Sequence, residues 1–200
     1  MDVVKTPVCL FDLKTGILCP SCEEKLKTGV ISELDIEVAK ALLKLESQYR
    51  QLLQDVTFHK AYIVDDVLAI LVDQKDVPKL ISKGSRAIRE LGEIFGKKVR
   101  VLSYRSSFRE FLEELLAPAS IRTVNRIWLP DGTNEVKVVV SYVGKRTPID
   151  FETVKKLSTT IRNVPLRVEV ERSRYAFRLS KSKTAPAKVG KVESKTGEET

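Results

Sequence analysis

Apolar positions along the chain follow two periods, one typical of helices and one typical of strands. From Ser32 onward they recur every three or four residues, and Asp35 stands where a capping box with Ser32 needs it. Residues 67–72 form an uninterrupted apolar run, which predicts a buried strand. These patterns predict the order helix, strand, strand, helix, helix, strand. The predicted segments are a helix over 32–53, strands over 57–63 and 67–72, helices after Asp76 and over 86–95, and a strand over 99–102.

A similar order begins again after Tyr104, with a second capping box formed by Ser107 and Glu110. The predicted segments are a helix that ends before Pro118, strands over 121–129 and 135–142, a helix from Asp150 to 161, and a strand over 166–170. Equivalent strands of the two halves are about 68 residues apart, a spacing typical of an internal repeat. The sequence therefore predicts two α+β units of similar topology.

Composition narrows the class of protein. With 42% hydrophobic and 31% charged residues, the 200-residue chain is expected to be soluble and globular. The longest apolar run has six residues, where a membrane helix needs about twenty, and no secretory signal precedes it, so we expect a cytoplasmic protein without a membrane partner. The single histidine, His59, leaves little material for a catalytic triad, and we expect neither an enzyme nor a small-molecule substrate.

The formal charge of +8 is concentrated in two places. Residues 79–109 hold nine basic and two acidic residues, and residues 173–200 hold seven basic and three acidic residues. The second stretch has few large apolar groups and is predicted to be a disordered basic tail. Such a tail serves either solubility or loose attachment to phosphates. The first stretch lies within patterned structure and favours a polyanionic partner.

The segment Ile81-Ser82-Lys83-Gly84-Ser85-Arg86-Ala87-Ile88-Arg89 follows a strand and a short helix and opens another helix, and it resembles the Ile-Gly-x-Gly-Gly region of a KH domain. Downstream, Gly96-Lys97-Lys98-Val99-Arg100-Val101 and the passage through Pro118 resemble the junction between the tandem KH domains of NusA transcription factors. The layout, with cysteines near the start, is most similar to archaeal NusA-like proteins. The resemblance implies two KH domains of the prokaryotic type, also called type II, and a single-stranded RNA partner.

The resemblance also implies where RNA binds. A strand of RNA would cross a groove between the loop 82–85 and the strand 67–72, with phosphates held by the loop and the following helix. The predicted RNA-binding residues are Ile81, Ser82, Lys83, Gly84, Ser85, Arg86 and Arg89. The loop departs from the family's Gly-x-x-Gly, since serine stands at both outer positions. The second unit lacks this motif, and Lys145 and Arg146 are its predicted secondary RNA contacts.

Three cysteines and an aspartate near the start have the spacing of a small zinc knuckle. Cys9, Asp12, Cys19 and Cys22 form two close pairs separated by a short loop, and Asp12 takes the place of a fourth thiolate. A structural Zn²⁺ is one interpretation. A decayed site with buried thiols is another, and Cys-Pro-Ser-Cys also resembles a glutaredoxin active site, although the expected preceding strand of a βαβ unit is not predicted.

The predicted domains are a cysteine segment over 1–31, a first KH-like unit over 32–104, a second, degenerate unit over 105–172, and the tail over 173–200. The leading hypothesis is a single-stranded RNA-binding protein, a NusA-like elongation or termination factor. A different hypothesis is an adaptor in which the zinc-like segment and the acidic residues 1–78 contact RNA polymerase or the ribosome while the KH units are scaffolds. A thiol oxidoreductase is a third, and would need Cys19 and Cys22 to cycle.

Overall fold

A computed structural model describes residues 4–82, 85–130, 132–141 and 150–171. The fold is mixed α+β with two three-stranded sheets, an arrangement compatible with KH-like domains. In chain order the elements are α1 (Leu10–Thr15), α2 (Pro20–Lys27), α3 (Glu33–Gln48), α4 (Arg50–Leu53), β1 (Phe58–Val64), β2 (Val67–Val72), α5 (Val77–Ser82), α6 (Ser85–Phe95), β3 (Lys98–Ser103), α7 (Phe108–Leu116), β4 (Ser120–Trp128), β5 (Asn134–Ser141), α8 (Phe151–Arg162) and β6 (Leu166–Glu171).

Both predicted capping boxes are confirmed. In the first, Ser32 Oγ accepts from Asp35 N at 3.2 Å and Asp35 Oδ2 accepts from Ser32 N at 2.8 Å. The other oxygen of Asp35 accepts from Ala61 N at 2.6 Å, so this buried carboxylate also ties α3 to β1. The predicted helix over 32–53 is interrupted at Tyr49, whose φ of −115° and ψ of 39° end α3 and begin the short helix α4.

The strand order in the first sheet is β1-β2-β3, with β1 antiparallel and β3 parallel to β2. In the second sheet the order is β4-β5-β6, and β4 and β5 pair as an antiparallel hairpin. All six predicted strands are present, with ends shifted by at most one residue. Residues 142–149, between β5 and α8, lie outside the described residues, as do the predicted turn residue Asp131 and the predicted tail.

Strand β2 is buried on both faces, which explains its uninterrupted apolar sequence. Leu68, Ile70 and Val72 belong to one hydrophobic cluster, which includes α3 and the cysteine segment. Ala69 and Leu71 point the opposite way and belong to a second cluster with α7, α8 and β5. Because side chains alternate along a strand, one strand serves two cores. The described residues up to Val170 consequently pack as one compact unit.

Polar contacts also join the two halves. The guanidinium of Arg100, on β3, donates to Leu115 O at the end of α7 at 2.6 Å. Asp65, in the turn between β1 and β2, pairs with Lys156 of α8 at 2.9 Å. These contacts do not locate the predicted domain boundaries, which stay predictions. No helix in the described part of the chain is long and apolar enough to cross a membrane.

Candidate nucleic-acid interface and metal centre

The predicted RNA-binding loop lies between α5 and α6. Ile81 and Ser82 form the end of α5, and the Ile81 side chain is 59% exposed although it is apolar. The Ser82 hydroxyl donates to Pro78 O, four residues earlier, at 2.6 Å, so its proton is directed into the helix. Lys83 and Gly84 lie outside the described residues. Ser85 is the first residue of α6.

The two predicted arginines of α6 are exposed and lie on neighbouring faces of the helix. Arg89 lines a groove, described below, and has no hydrogen-bond or ion-pair partner among the described residues. Arg86 lies closer to Tyr49, whose pKa is raised mainly by a hydrogen bond to Glu90, with the positive charge of Arg86 acting in the opposite direction. Arg86 and Arg89 thus lie one helical turn apart, and Glu90 and Glu93 follow them by one turn each, so that α6 itself carries no net charge.

A groove of about 650 Å³ runs between α6 and the start of β3. Ile88, Gly92 and Val99 contribute its apolar surface, and Arg89 and Lys98 stand on its rim. The other lining residues are Asp66, Glu93, Gly96 and Lys97. Three cations and two carboxylates give the groove a small positive charge. An apolar surface with a cationic rim can contact bases and phosphates of one nucleic-acid strand.

Gly92 brings helix and strand close together in this groove. Its carbonyl accepts from Lys97 N at 2.9 Å, and Gly96, with φ of +61°, gives its N–H to Glu93 O at 3.3 Å. These two bonds form a Schellman motif, which ends α6 and turns the chain directly into β3. A Cβ at Gly92 would lie 2.7 Å from Lys97 O, and the lack of one permits the close approach.

The predicted position of the groove against residues 67–72 is wrong. Leu68 through Val72 are at most 3% exposed, because β2 is the central strand of its sheet and both of its faces are covered. A ligand cannot reach these side chains. The groove instead follows β3, the edge strand, whose first residues have no neighbouring strand on the side of α6.

The cysteine segment brings its four predicted ligands together. Cys9 precedes α1, and Gly16, with φ of +78°, ends that helix so that the chain can turn back. Cys19 precedes α2 and Cys22 lies in its first turn. The Sγ atom of Cys9 is 3.9 Å from that of Cys19 and 3.6 Å from that of Cys22. With a carboxylate oxygen of Asp12, all four ligand atoms lie within 4.8 Å of one another.

These residues fit a metal ion. Sulfurs that lie about 2.3 Å from a tetrahedral Zn²⁺ stand roughly 3.8 Å apart, close to the separations seen here. Asp12 Oδ2 accepts from Cys19 N at 3.0 Å, whereas Asp12 Oδ1 is buried and has no hydrogen-bond partner. A buried carboxylate oxygen without a partner is costly unless a cation is bound to it.

The acid–base properties of the cluster describe its state without a metal, in which Cys22 is a protonated thiol. Burial, and then the neighbouring Asp12, raise the pKa of the Cys22 thiol to about 12. The pKa of Asp12 is lowered, first by its hydrogen bond with Cys22. A deprotonated Cys22 in this position requires a nearby cation to offset its burial, and a thiolate-bound metal supplies that charge.

The other two interpretations of the cysteines have less support in the geometry. The three thiols are free, and sulfurs 3.6 Å apart are well beyond the length of a disulfide bond, about 2.05 Å. The element that precedes Cys19 is helix α1, where a thioredoxin-like site would have a strand. A decayed site would leave Asp12 Oδ1 buried without compensation.

Among the residues that line the groove, the sequence predicts Arg89 as an RNA contact but does not predict Gly92, Lys98 or Val99 as contacts. An isolated glycine within an amphipathic helix often marks a close backbone approach, so Gly92 carried a usable signal. Lys145 and Arg146, the predicted contacts of the second half, lie outside the described residues.

Comparisons with known proteins give two relatives of similar name. A "Probable transcription termination protein NusA" from Methanocaldococcus jannaschii is 24% identical over 137 residues, which are 68% of this chain and 73% of that protein. A protein of the same name from Methanococcus vannielii is 25% identical over 76 residues, 38% of this chain and 42% of the relative. The second alignment thus spans less than half of that relative.

A scan against protein families finds no match for the chain. Among solved structures, "Crystal structure of APE1850" is similar at a TM-score of 0.43 and 20% sequence identity, covering 64% of this chain and 96% of that one. The two archaeal relatives support a NusA-like protein.

Proposed function

We propose that this chain is a non-enzymatic, cytoplasmic, single-stranded RNA-binding protein, a NusA-like transcription elongation or termination factor built on two type II KH-like units. The groove between α6 and β3 is the observation that carries the proposal, because it combines apolar walls with cationic residues along the helix that follows the predicted loop. The names of the archaeal relatives support the role in transcription.

In the proposed complex, about four nucleotides pass along α6 from the loop 82–85 towards β3. Backbone N–H groups of the loop and the first turn of α6 hold phosphates, and Lys83, Arg86 and Arg89 add positive charge. Bases lie against Ile88 and Val99 in the groove. Because Gly92 has no side chain, bases in the groove can contact the main chain of α6 as well as the neighbouring side chains.

Binding of a short single-stranded RNA over a range of salt concentrations tests this site. The double variant Arg89→Glu, Lys98→Glu should bind more weakly, with a salt dependence smaller by about 1.4, because each lost phosphate contact removes about 0.7 from the slope. Lys83→Asp, Gly84→Asp should abolish binding at low salt. Lys44→Glu makes the same charge change on the exposed face of α3 and is the control. Unchanged affinity in both double variants would refute the site.

Crosslinking to cellular RNA tests the role in transcription. Nascent RNA recovered across many transcripts is expected for an elongation or termination factor, and it should be lost in the Lys83→Asp, Gly84→Asp variant. Enrichment of ribosomal RNA instead would move the function to ribosome assembly.

A structural Zn²⁺ held by Cys9, Asp12, Cys19 and Cys22 is part of the proposal. The separation of the sulfurs and the partnerless oxygen of Asp12 support it. The ion would link the start of α1 to the start of α2, in a segment that otherwise has a small hydrophobic core. Protein purified without chelator should contain close to one zinc per chain, and less than about 0.1 would favour the decayed site.

Two variants distinguish a cluster that binds a metal ion from a metal-free cluster of packed side chains. Asp12→Asn should reduce the zinc content and lower the stability of the segment, because the amide cannot replace the charge of the carboxylate. Glu23→Gln removes an exposed carboxylate from α2 and should leave the zinc content unchanged.

A second candidate function is an adaptor that contacts RNA polymerase or the ribosome. Large apolar side chains beside the cysteine cluster favour it, since Phe11 and Ile17 are 72% and 73% exposed. Exposed apolar groups in one small segment are typical of protein interfaces. RNA polymerase that co-purifies after nuclease treatment, and is lost on Phe11→Ala, Ile17→Ala, would support the adaptor.

A further inference from the structure

The hairpin of β4 and β5 extends beyond the helices that cover its inner face. Strand β4 has nine residues and spans about 30 Å, whereas α7, which packs against it, has nine residues in about 14 Å. Accordingly, β4 contributes only Ile121 and Val124 to the hydrophobic cluster of this half. The last third of the strand, residues 126–128, contributes no side chain to either hydrophobic cluster.

The uncovered part of the hairpin carries an arginine and the chain's single tryptophan. Arg126 pairs with Val136 across the hairpin and Trp128 pairs with Asn134, and directly paired residues project from the same face. Trp128 is 70% exposed, and Arg126 is exposed without a hydrogen-bond or ion-pair partner among the described residues. The two side chains start about 7 Å apart on one face.

The turn of the hairpin is well hydrogen-bonded, so the tip presents Trp128 in a defined position. Leu129 N donates to Thr133 O at 2.9 Å, and Gly132 N donates to Leu129 O at 3.0 Å. Gly132 has φ of +82°, which only glycine adopts without strain. Binding a ligand would therefore cost mainly the rotamer freedom of the exposed Trp128 side chain and little further ordering of the backbone.

The charges of this face favour a polyanion. The nearest acid along β5 is Glu135, which pairs with Ile127 and therefore projects from the other face. Lys137 and its partner Glu169 also lie on that other side, since Lys137 pairs with Asn125. An aromatic ring for a base and a free guanidinium for a phosphate are the groups that single-strand-binding proteins combine.

We propose that the tip of the β4–β5 hairpin is a second contact for single-stranded RNA, with a base stacked on Trp128 and a phosphate bound by Arg126. The inference rests on the proposed RNA-binding function and adds a site remote in sequence from the α6–β3 groove.

Because Trp128 is the only tryptophan, the full-length protein reports on this site by its own fluorescence. Titration with a single-stranded RNA of about 20 nucleotides should quench the tryptophan emission. The quenching should occur over the same concentration range as the rise in anisotropy of a labelled copy of that RNA. Trp128→Ala should weaken binding by about 5- to 150-fold, since stacking on one aromatic side chain contributes about 1–3 kcal/mol. Trp128→Phe should keep most of the affinity, and Arg126→Gln should reduce the salt dependence.

Two controls isolate the stacking contact. Inorganic polyphosphate should compete with RNA for binding to the protein. Added without RNA, it should leave the tryptophan emission unchanged, since it has charge but no bases. Thr123→Ala alters the other face of β4 and should bind RNA as the wild type does. Quenching that persists in Arg89→Glu, Lys98→Glu with the long RNA would support a contact independent of the groove.

The outcomes separate this inference from the proposed function. If labelled RNA binds but the emission does not change and Trp128→Ala keeps full affinity, the hairpin contact is refuted and the groove stands. If the wild type binds no RNA, the proposed function itself fails. If sedimentation instead shows a concentration-dependent dimer that Trp128→Ala abolishes, the face is a contact between two copies, and the inference is wrong.

Discussion

Replacing Arg100 by methionine tests how the two halves of the molecule are held together. Arg100 Nη1 donates to Leu115 O at 2.6 Å and to Glu114 O and Ala117 O at 3.3 Å each. These carbonyls belong to the end of α7, where helix geometry leaves them without partners. Methionine keeps most of the length and the apolar packing of the side chain but removes the nitrogen that donates all three hydrogen bonds.

The size of the effect follows from these contacts. The short bond from a charged donor is worth about 1.5–3 kcal/mol, and the two longer contacts and the favourable charge at a helix end add to it. Burial lowers the pKa of Arg100, which shows that part of this gain is offset by desolvation. We expect a net loss of about 2–4 kcal/mol in the free energy of unfolding, or roughly 4–16 °C in Tm for a chain of this size.

Urea and thermal unfolding, followed by circular dichroism, provide the measurement. Arg100→Lys should lie between the wild type and Arg100→Met, because an ammonium keeps the charge but cannot reproduce the guanidinium geometry. Lys98→Met, two residues earlier on β3 and exposed, is the control and should change stability by less than about 0.5 kcal/mol. An Arg100→Met protein as stable as the wild type would show that the carbonyls find other partners.

Three further changes test other parts of the structure. Gly92→Ala should lower the urea midpoint, since its Cβ would lie 2.7 Å from Lys97 O, and a higher midpoint would contradict the close approach. Ser32→Ala should cost about 1 kcal/mol through loss of the helix cap, and an unchanged midpoint would argue against the cap. The pKa of Asp73 is lowered mainly by its hydrogen bond with His59, so the ionised carboxylate stabilises the fold above its unfolded pKa, and this stability is lost as pH falls through the folded pKa. Asp73→Asn should therefore flatten the loss of stability below about pH 4, and equally steep acid unfolding in both proteins would contradict this.

The cysteine cluster shows how far spacing alone can go. Four residues in two close pairs predicted that their ligand atoms would meet, and the structure brings them within 4.8 Å of one another. The spacing does not predict that an oxygen of Asp12 is buried without a hydrogen-bond partner, because this depends on every group packed around the carboxylate. That observation, rather than the motif, distinguishes a metal ligand from an ordinary buried carboxylate.

The groove shows the opposite case. The loop 82–85 was predicted from its resemblance to the loop of a KH domain, between a short helix after Asp76 and the helix over 86–95. The wall opposite α6 was assigned to β2, and the structure assigns it to β3, since parallel pairing places β2 at the centre of the sheet. The uninterrupted apolar run of residues 67–72 already indicated a strand buried on both faces, and this signal argued against placing the groove there.

The sequence by itself determined where helices and strands begin, through the capping boxes at Ser32 and Ser107 and the apolar periods between turns. These signals act over a few residues, so they can be recognised without the rest of the chain. Packing between distant elements decided exposure where the local pattern gives no signal: the apolar run of β2 indicated burial, but Arg126 and Trp128 stay exposed because α7 is shorter than the hairpin. Exposure depends on the lengths and packing of elements far apart in sequence, and there the proposed RNA contacts lie.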